Sequence, residues 1–337
     1  MTTMNKGEKH MWKSIEYATA GKSHIKAGLP CQDKVRTFRN GEVTVITLAD
    51  GAGSAKLSHY GAEAVLEKVS RDLGECFEEF FREKDGAVIR RRLLSDVNEA
   101  LERVQKGLHC KINDLSSTLL AVAVSGNRYF IVHIGDGVIG YLKDGEVKVA
   151  TRPDNGDFAN ETFFTTSPAV SSHIRLCKGT DEKIEGFVLM SDGTENALYN
   201  KRTGQLSNGI KRIMKMTAIC PRGILMNLLD ATMMESIMEH THDDCSISIL
   251  ANTDAFHNFI QMSVAEKLDI LNMTPDSRNL NKRIRQVRDI LIATSGGASA
   301  ARVARLTHIS PKHIQKKLDF LMNLGLLEEE KGIYRSE

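Results

Sequence analysis

The sequence predicts an α+β fold, an α/β/β/α four-layer sandwich of two antiparallel sheets, with a small further domain at its C-terminal end. Two observations support this prediction. Strand-like segments come in runs separated by short turns, which makes them antiparallel neighbours, and helix-like segments come in pairs. Single strands alternating with single helices, the pattern typical of parallel sheets, are not seen along the chain.

The first strands are predicted at Trp12–Ala20 and Val35–Phe38, and a third, "EVTVITLA", ends at Asp50. Two helices follow at about Ser58–Arg82 and Ala87–Lys111. The first of these helices carries its apolar residues along one face, so we expect it to cover a sheet.

A meander of four strands is predicted next, in "STLLAVAVSGNRYFIVHIGDGVIGYLKDGEVKVAT". Three turn signals interrupt its apolar runs, namely Ser125-Gly126-Asn127, Gly135-Asp136-Gly137 and Lys143-Asp144-Gly145. Two more strands, "GFVLM" and "CSISIL", flank a second helix pair at about Ser207–Ile219 and Arg222–Glu239.

The composition is that of an ordinary globular protein, with 41% hydrophobic residues, 26% charged residues and a formal net charge of +2. No apolar run approaches the roughly 18 residues that cross a membrane, and the first residues lack the apolar core of a secretion signal. The six cysteines are scattered without a Cys-x-x-Cys pair, which argues against a zinc site or a disulfide framework. We therefore expect a cytoplasmic protein.

The charge distribution changes near "NMTPDSRNLN", residues 272–281. From residue 277 onward the chain has 12 Lys and Arg against 6 Asp and Glu, whereas the whole chain has 45 against 43. We predict a main domain over residues 1–252, a connecting helix and linker over 253–280, and a basic domain over 281–337.

Several acidic residues stand at predicted strand ends, next to glycine or to another acid. They are Asp33, Asp50, Asp136, Asp192 and Asp243. Any single Asp-Gly pair is typical of a turn. Five carboxylates at one end of a sheet would repel each other, so the set points to a bound cation, and oxygen ligands select Mg²⁺ or Mn²⁺.

Six segments occur in the order known from one family: "GKSHIKAGLPCQD", "LADGAGSA", "SSTLLAVAV", "HIGDGVIGYL", "VLMSDGTENAL" and "HDDCSISIL". With them, the chain from Trp12 to Leu250 resembles the bacterial metal-dependent type 2C (PPM) protein serine/threonine phosphatases. The resemblance implies that Asp50 bridges two metal ions and that the carbonyl of Gly51 completes one coordination shell. It also implies that Asp192 and Asp243 hold the first ion, and that Asp33 acts on the second, through water.

The reaction implied by the resemblance is removal of phosphate from phosphoserine or phosphothreonine in proteins by direct attack of a metal-bridging hydroxide, with Mn²⁺ or Mg²⁺ as the two ions. Asp136 would lie beside a looser third metal position. The partner carboxylate expected there is Asn196 in this chain, so a third ion should bind weakly or not at all.

Two departures from the family pattern concern the substrate phosphate. Gly28 stands where many relatives have a phosphate-binding arginine, and Ala52 stands where some have a histidine general acid. Lys26 or His24 could bind the phosphate instead, although a lysine lacks the two-pronged geometry of arginine. Proton delivery to the leaving group would come from water or from His24.

After the linker the sequence predicts a helix at Lys282–Thr294, a short helix in "ASAARVARLTHIS" and a third that starts after the N-cap Ser310. With a small β-wing in "LLEEEKGIYRSE", this order resembles a winged-helix domain. If it binds DNA, the residues that meet phosphates or bases are Lys312, Gln315, Lys316 and Lys317. The alternative is a protein-docking domain, which the acidic Asp319 and Glu328–Glu330 favour.

Three hypotheses follow from the sequence. The first is a metal-dependent serine/threonine phosphatase that acts on phosphoproteins; the family resemblance implies a cognate Ser/Thr kinase as its partner. The second is a weakly active or inactive phosphatase-like module that senses or docks a phosphoprotein, motivated by Gly28, Ala52 and Asn196. The third is a DNA-binding regulator with a phosphatase-like input domain.

Overall fold

The computed structural model describes residues 12–154, 162–219, 222–233, 237, 241–253, 262–294, 297–324 and 326–336. The chain forms two compact units. The first comprises Met1–Met214 with Leu229–Ala251, and the second comprises Lys215–Leu228 with Asn252–Glu337.

The first unit contains two five-stranded antiparallel sheets, as predicted. One sheet has the order β2-β3-β4-β5-β8 and the other β1-β12-β9-β6-β7. The strands of the first sheet are β2 (Lys34–Asn40), β3 (Val43–Ala49), β4 (Leu119–Ser125), β5 (Arg128–Ile134) and β8 (Arg175–Thr180). Those of the second are β1 (Trp12–Thr19), β6 (Val138–Lys143), β7 (Glu146–Thr151), β9 (Ile184–Met190) and β12 (Cys245–Asn252).

The predicted four-strand meander is divided between the two sheets. Its first hairpin, β4–β5, belongs to one sheet, and its second, β6–β7, belongs to the other. The segment Gly135-Asp136-Gly137 is therefore a crossing between sheets, not a hairpin turn. Gly135 has φ +110°, a conformation that favours glycine.

Alternate residues of the strands fill two separate apolar layers. Ile46 and Leu48 of β3 pack with Phe187 and Leu189 of β9 between the two sheets. Val45 of β3 points the other way, into a second layer shared with the helices on that side. The period of two along β3 thus makes this strand apolar on both faces.

Helices cover the outer face of the first sheet. They are α2 (Ser58–Glu75), the short α3 (Phe77–Arg82) and α4 (Gly86–Leu108), so the first predicted helix is interrupted at Cys76. The apolar residues of α2 and α4 share one buried layer with the sheet. Asp85 begins α4 by accepting a hydrogen bond from the backbone N of Ala87, at 2.8 Å.

The second predicted helix pair is present as α7 (Asn208–Ile219) and α8 (Arg222–Thr232); the predicted end at Glu239 lies outside the described residues. The remaining helices of this part are the short α1 (Lys22–Ala27), α5 (Val170–His173) and α6 (Asp192–Leu198). The hairpin of β10 (Tyr199–Asn200) and β11 (Gln205–Leu206) follows α6. None of the helices in the described ranges is long and apolar enough to cross a membrane.

The second unit ends in a compact group of helices and short strands. Its helices are α9 (Val264–Ile270), α10 (Leu280–Thr294), α11 (Ala300–Thr307) and α12 (Pro311–Asn323). Its sheet has the order β13 (Ala298–Ser299), β15 (Ile333–Arg335), β14 (Glu328–Glu330). The connecting helix predicted within 253–280 is seen only as α9, since residues 254–261 lie outside the described part.

Candidate active site

Asp33 and Asp50 lie side by side because their strands pair. Lys34 of β2 is opposite Ala49 of β3, so the residues just beyond them adjoin. The backbone N of Asp50 donates to Thr118 Oγ1 at 2.9 Å, and its carbonyl accepts from the N of Thr118 at 2.8 Å. The start of β4 thereby fixes the main chain that carries Asp50.

Asp136, Asp192 and Asp243 reach the same end of the sandwich through the second sheet. Strand β9 pairs with β6 on one side and β12 on the other, both antiparallel. Asp192 follows β9, whereas Asp136 and Asp243 precede β6 and β12. Two hydrogen bonds hold these ends together: the N of Ser191 donates to Ser246 O at 3.2 Å, and the N of Ser246 donates to Ser191 Oγ at 3.0 Å.

Charges among the five predicted aspartates raise the pKa values of Asp50 and Asp192. Burial raises the pKa of Asp50 well above its usual value, and the charges of Asp33, Asp192 and Asp136 raise it further. Burial also raises the pKa of Asp192, with added repulsion from Asp136 and Asp243. Mutual repulsion of this kind requires the carboxylates to lie near one another, so the structure brings the predicted set together.

Asp33 is the most deeply buried member of the set, with 1% of its surface exposed. Neither of its carboxylate oxygens has a hydrogen bond of ordinary geometry with any described residue. Burial raises its pKa to about 7; the nearby hydroxyls of Ser246 and Ser191 oppose this shift, and the charge of Asp244 adds to it. A buried carboxylate without donors calls for a cation or a proton.

Asp244, which the sequence analysis did not single out, anchors the segment before β12. Its Oδ1 accepts from the N of Gly21 at 2.7 Å and lies 2.8 Å from His24 Nδ1, while its Oδ2 accepts from the N of Gln32 at 2.6 Å. It is buried, whereas its neighbour Asp243 is exposed. Two adjacent aspartates thus have different roles, and the sequence alone offers no signal that separates them.

Two glycines allow the main chain to pass close to this segment. A Cβ on Gly21 would lie 2.2 Å from the carbonyl oxygen of Asp243, and one on Gly193 would lie 2.1 Å from the carbonyl oxygen of Asp244. Neither position can therefore carry a side chain without movement of the segment that holds Asp243.

The two candidate phosphate-binding residues lie on α1. The side chain of His24 is mostly buried and is held by Asp244, whereas Lys26 is exposed. Gly28 ends α1 with φ +66°, so an arginine at that position would strain the backbone. Ala52 is buried and its N donates to Ser116 O at 3.0 Å.

Two further contacts surround the aspartates. Asp136 Oδ2 accepts from Thr162 Oγ1 at 2.6 Å. Glu195, fully buried in α6, lies 2.6 Å from the Nζ of Lys201, and burial raises its pKa to about 7, as do the charges of Asp192 and Asp136. Glu195 is thus a further carboxylate near the site. The side chain of Asn196 lies outside the described part of the structure.

The side chains of the aspartate cluster offer only oxygen atoms to a divalent cation. Among the described residues, no three or more His, Cys, Asp or Glu side chains are already arranged as a metal-ligand group. The donors are nevertheless all oxygen, and the buried oxygens of Asp33 and Oδ1 of Asp192 lack hydrogen-bond partners in the described ranges. The chemistry of the set fits Mg²⁺ or Mn²⁺, which would supply the missing partner and offset the repulsion.

Comparison with solved structures shows a shared fold. A bacterial serine phosphatase aligns with 72% of this chain and 98% of its own, at 15% identity and a TM-score of 0.53. Serine/threonine phosphatase Stp1 from Staphylococcus aureus aligns with 74% of this chain and 99% of its own, at 16% identity and a TM-score of 0.51. At this level of identity the comparison shows the class of fold, a mixed α/β fold with two antiparallel sheets.

Sequence comparison gives the family. The family model described as Protein phosphatase 2C matches residues 20–223. Serine/threonine-protein phosphatase 3 of Escherichia coli (strain K12) is 24% identical over 198 residues, which cover 56% of this chain and 76% of that protein. The chain belongs to the protein phosphatase 2C family, and the predicted enzyme class, a protein serine/threonine phosphatase, is confirmed.

Proposed function

We propose that this chain removes phosphate from phosphoserine or phosphothreonine in proteins with the help of two divalent cations, Mn²⁺ or Mg²⁺. The observation that supports it most directly is that strand pairing brings several aspartates to one end of the sandwich, where burial and the charges of three other aspartates raise the pKa of Asp50. Such an arrangement costs stability unless a cation occupies it, so a structural role alone does not account for it.

The residues that would hold the ions are Asp33, Asp50, Asp136, Asp192, Asp243 and the carbonyl of Gly51. When bound, the ions supply positive charge for the phosphate oxygens and an acidified water for hydrolysis. The protein's own contribution is to fix the carboxylates: Thr118 holds the main chain of Asp50, and Thr162 holds one oxygen of Asp136.

His24 is the residue that we propose for proton delivery to the leaving serine or threonine oxygen. Asp244 contacts its Nδ1 at 2.8 Å, which orients the ring and leaves Nε2 as the nitrogen that can face a substrate. Lys26, exposed on the same helix, is the proposed contact for the substrate phosphate.

The test is a phosphatase assay on a phosphothreonine peptide with the metal-stripped full chain. We expect turnover only after Mn²⁺ or Mg²⁺ is added, and Asp50→Ala to lower it by about three orders of magnitude or more. Asp276→Asn, an exposed aspartate distant in sequence, is the matched control and should retain full activity. Equal turnover by Asp50→Ala and the parent chain would refute the proposal.

For the C-terminal residues we propose a winged-helix assignment, supported by three helices and a three-stranded antiparallel sheet in the expected chain order. Lys312 and Lys316 are exposed on α12. Gln315 instead uses its amide within the unit, donating to Asp319 Oδ1 at 2.8 Å and Tyr334 Oη at 3.0 Å. DNA binding through this face stays a prediction.

A further inference from the structure

The C-terminal unit contains a concave surface between α10 and α12, formed by two adjoining cavities of about 270 and 390 Å³. We call this surface the basic pocket. Its cationic lining residues are Arg278, Lys282, Arg283, Lys316 and Lys317. Among the described residues that line it there is no aspartate or glutamate.

The positive charge of the basic pocket is not balanced within the described structure. Elsewhere in the unit cations pair with acids, as Arg288 does with Asp289 at 2.7 Å. Lys282, Arg283 and Lys317 form no ion pair with a described residue. Burial lowers the pKa of the half-buried Lys317, and the charges of Arg283 and Lys282 lower it further.

The other end of the basic pocket is apolar. Val287, Ile290 and Leu321 form its floor and Phe320, 39% exposed, forms its edge. Beside the cations, Ser310 Oγ lies 2.7 Å from His313 Nδ1, which fixes the ring that lines both cavities. A ligand that matches this lining carries a compact anion next to an apolar group.

We propose that the basic pocket binds a phosphoryl group carried by a polypeptide, with an apolar side chain of the same polypeptide against Phe320. Arginine and lysine together with a polar histidine are the side chains that recognise phosphate. This site is separate from the aspartate cluster, and the proposal does not depend on the function proposed for that cluster.

Duplex DNA fits the basic pocket less well. The phosphates of a duplex lie on a convex surface, whereas the unpaired cations here line a concavity. Strand β14, Glu328–Glu330, belongs to the same unit and is exposed and acidic, so it would repel a duplex laid along the unit.

The experiment uses the full chain in EDTA, so that the aspartate cluster has no metal. The probe is a fluorescein-labelled peptide with one phosphoserine next to leucine, and the same peptide without phosphate is the comparison. Fluorescence anisotropy should show the phosphopeptide binding at least about tenfold more tightly. Lys317→Met and Arg283→Gln should each weaken it at least about fivefold, and Arg305→Gln, an exposed cation of α11 outside the pocket, less than about twofold.

The melting temperature of Lys317→Met shows whether this substitution disturbs the fold. Because it removes a half-buried charge without a partner, it should melt at the same temperature as the parent chain or higher, and a loss of binding would then not reflect unfolding. Its Mn²⁺-dependent turnover of p-nitrophenyl phosphate should equal that of the parent, which separates this site from the aspartate cluster.

Three results would overturn the proposal. Equal binding of the two peptides would remove the phosphate requirement. If inorganic phosphate bound as tightly as the phosphopeptide, the polypeptide would contribute nothing to recognition, and that part of the proposal would fail. If a 20-base-pair DNA duplex bound more tightly than the phosphopeptide, and Lys317→Met abolished that binding, the pocket would be a DNA-binding site.

Discussion

At the scale of single residues, burial separates side chains that look equivalent in the sequence. Asp243 and Asp244 are adjacent, yet the first is exposed beside the other aspartates and the second is buried under three hydrogen-bonding groups. Asp50 could be predicted from the sequence, because an apolar strand leads directly to it. Asp244 could not, because its partners at Gly21, His24 and Gln32 are more than 200 positions away along the chain.

His133 leads to a prediction at this scale. Its Nε2 lies 2.8 Å from Gly135 O and its Nδ1 lies 2.6 Å from Thr151 Oγ1, and complete burial lowers its pKa to about 4. The unfolded chain has the ordinary value of about 6.5 and therefore binds more protons between these two values. The contribution of His133 to stability is thus complete above about pH 6.5 and is lost as the pH falls towards 4.

We expect His133 to lower the free energy of unfolding by about 2 kcal/mol when the pH falls from 7.5 to 5. Urea unfolding of the parent chain and of His133→Gln at both values measures it. The buried carboxylates of the active site titrate in the opposite direction in this range, and the difference between the two chains removes their contribution. Parallel stability curves for the two chains would contradict the prediction.

At the scale of helices and strands, local signals placed most elements, and tertiary pairing decided the rest. Strand β8 was missed because its sequence, Arg175–Thr180, lacks an apolar alternation. The break between α2 and α3 at Cys76 was missed as well, since no Pro marks it and Gly74, two residues earlier, lies inside an otherwise continuous helical pattern. Gly135-Asp136-Gly137 looked like a hairpin turn because its residues suit a tight turn and a crossing equally well.

The contact between α6 and the segment before β12 gives the prediction at this scale. Gly193→Ala would place a Cβ 2.1 Å from the carbonyl oxygen of Asp244, so that either α6 or the segment must move. We expect a loss of about 2–4 kcal/mol of folding stability and weaker Mn²⁺ affinity, measured by urea unfolding and metal titration.

Gly107→Ala is the matched control for this substitution. Gly107 lies within α4 and no heavy atom would approach its Cβ within 4 Å, so alanine should stabilise the chain by up to about 1 kcal/mol. A Gly193→Ala chain as stable as the parent would show that the close approach is unimportant.

At the scale of the whole molecule, the sequence predicted two antiparallel sheets with helices and the convergence of five aspartates at one end. It could not predict where the side chains of the basic C-terminal residues point. Lys317, which the sequence placed among the candidate DNA-binding residues, lies beside Lys282 and Arg283 of another helix. That neighbourhood depends on how α10 packs against α12, which residue spacing within one helix does not specify.

Repulsion within the aspartate cluster gives the prediction at this scale. Without metal, Asp50→Asn should melt higher than the parent chain, because an amide replaces a buried carboxyl group that either repels its neighbours when ionised or must take up a proton. With Mn²⁺ at about 100 times its dissociation constant, the parent should gain about 2.7 kcal/mol while Asp50→Asn gains little. Thermal unfolding in EDTA and in Mn²⁺ tests both statements. An equal melting temperature of the parent chain in EDTA and in Mn²⁺ would contradict the prediction.

The crossing at Gly135–Gly137 has a consequence for how the enzyme matures. Since Asp50 extends from one sheet and Asp192 from the other, the proposed ions would take ligands from both sheets, and the complete site would require both sheets to be in place. A nascent chain released before residue 243 would therefore gain nothing from manganese in its surroundings. Metal binding would therefore occur only after both sheets have assembled. A truncated chain should have no phosphatase activity, and Mn²⁺ should not protect it against proteolysis.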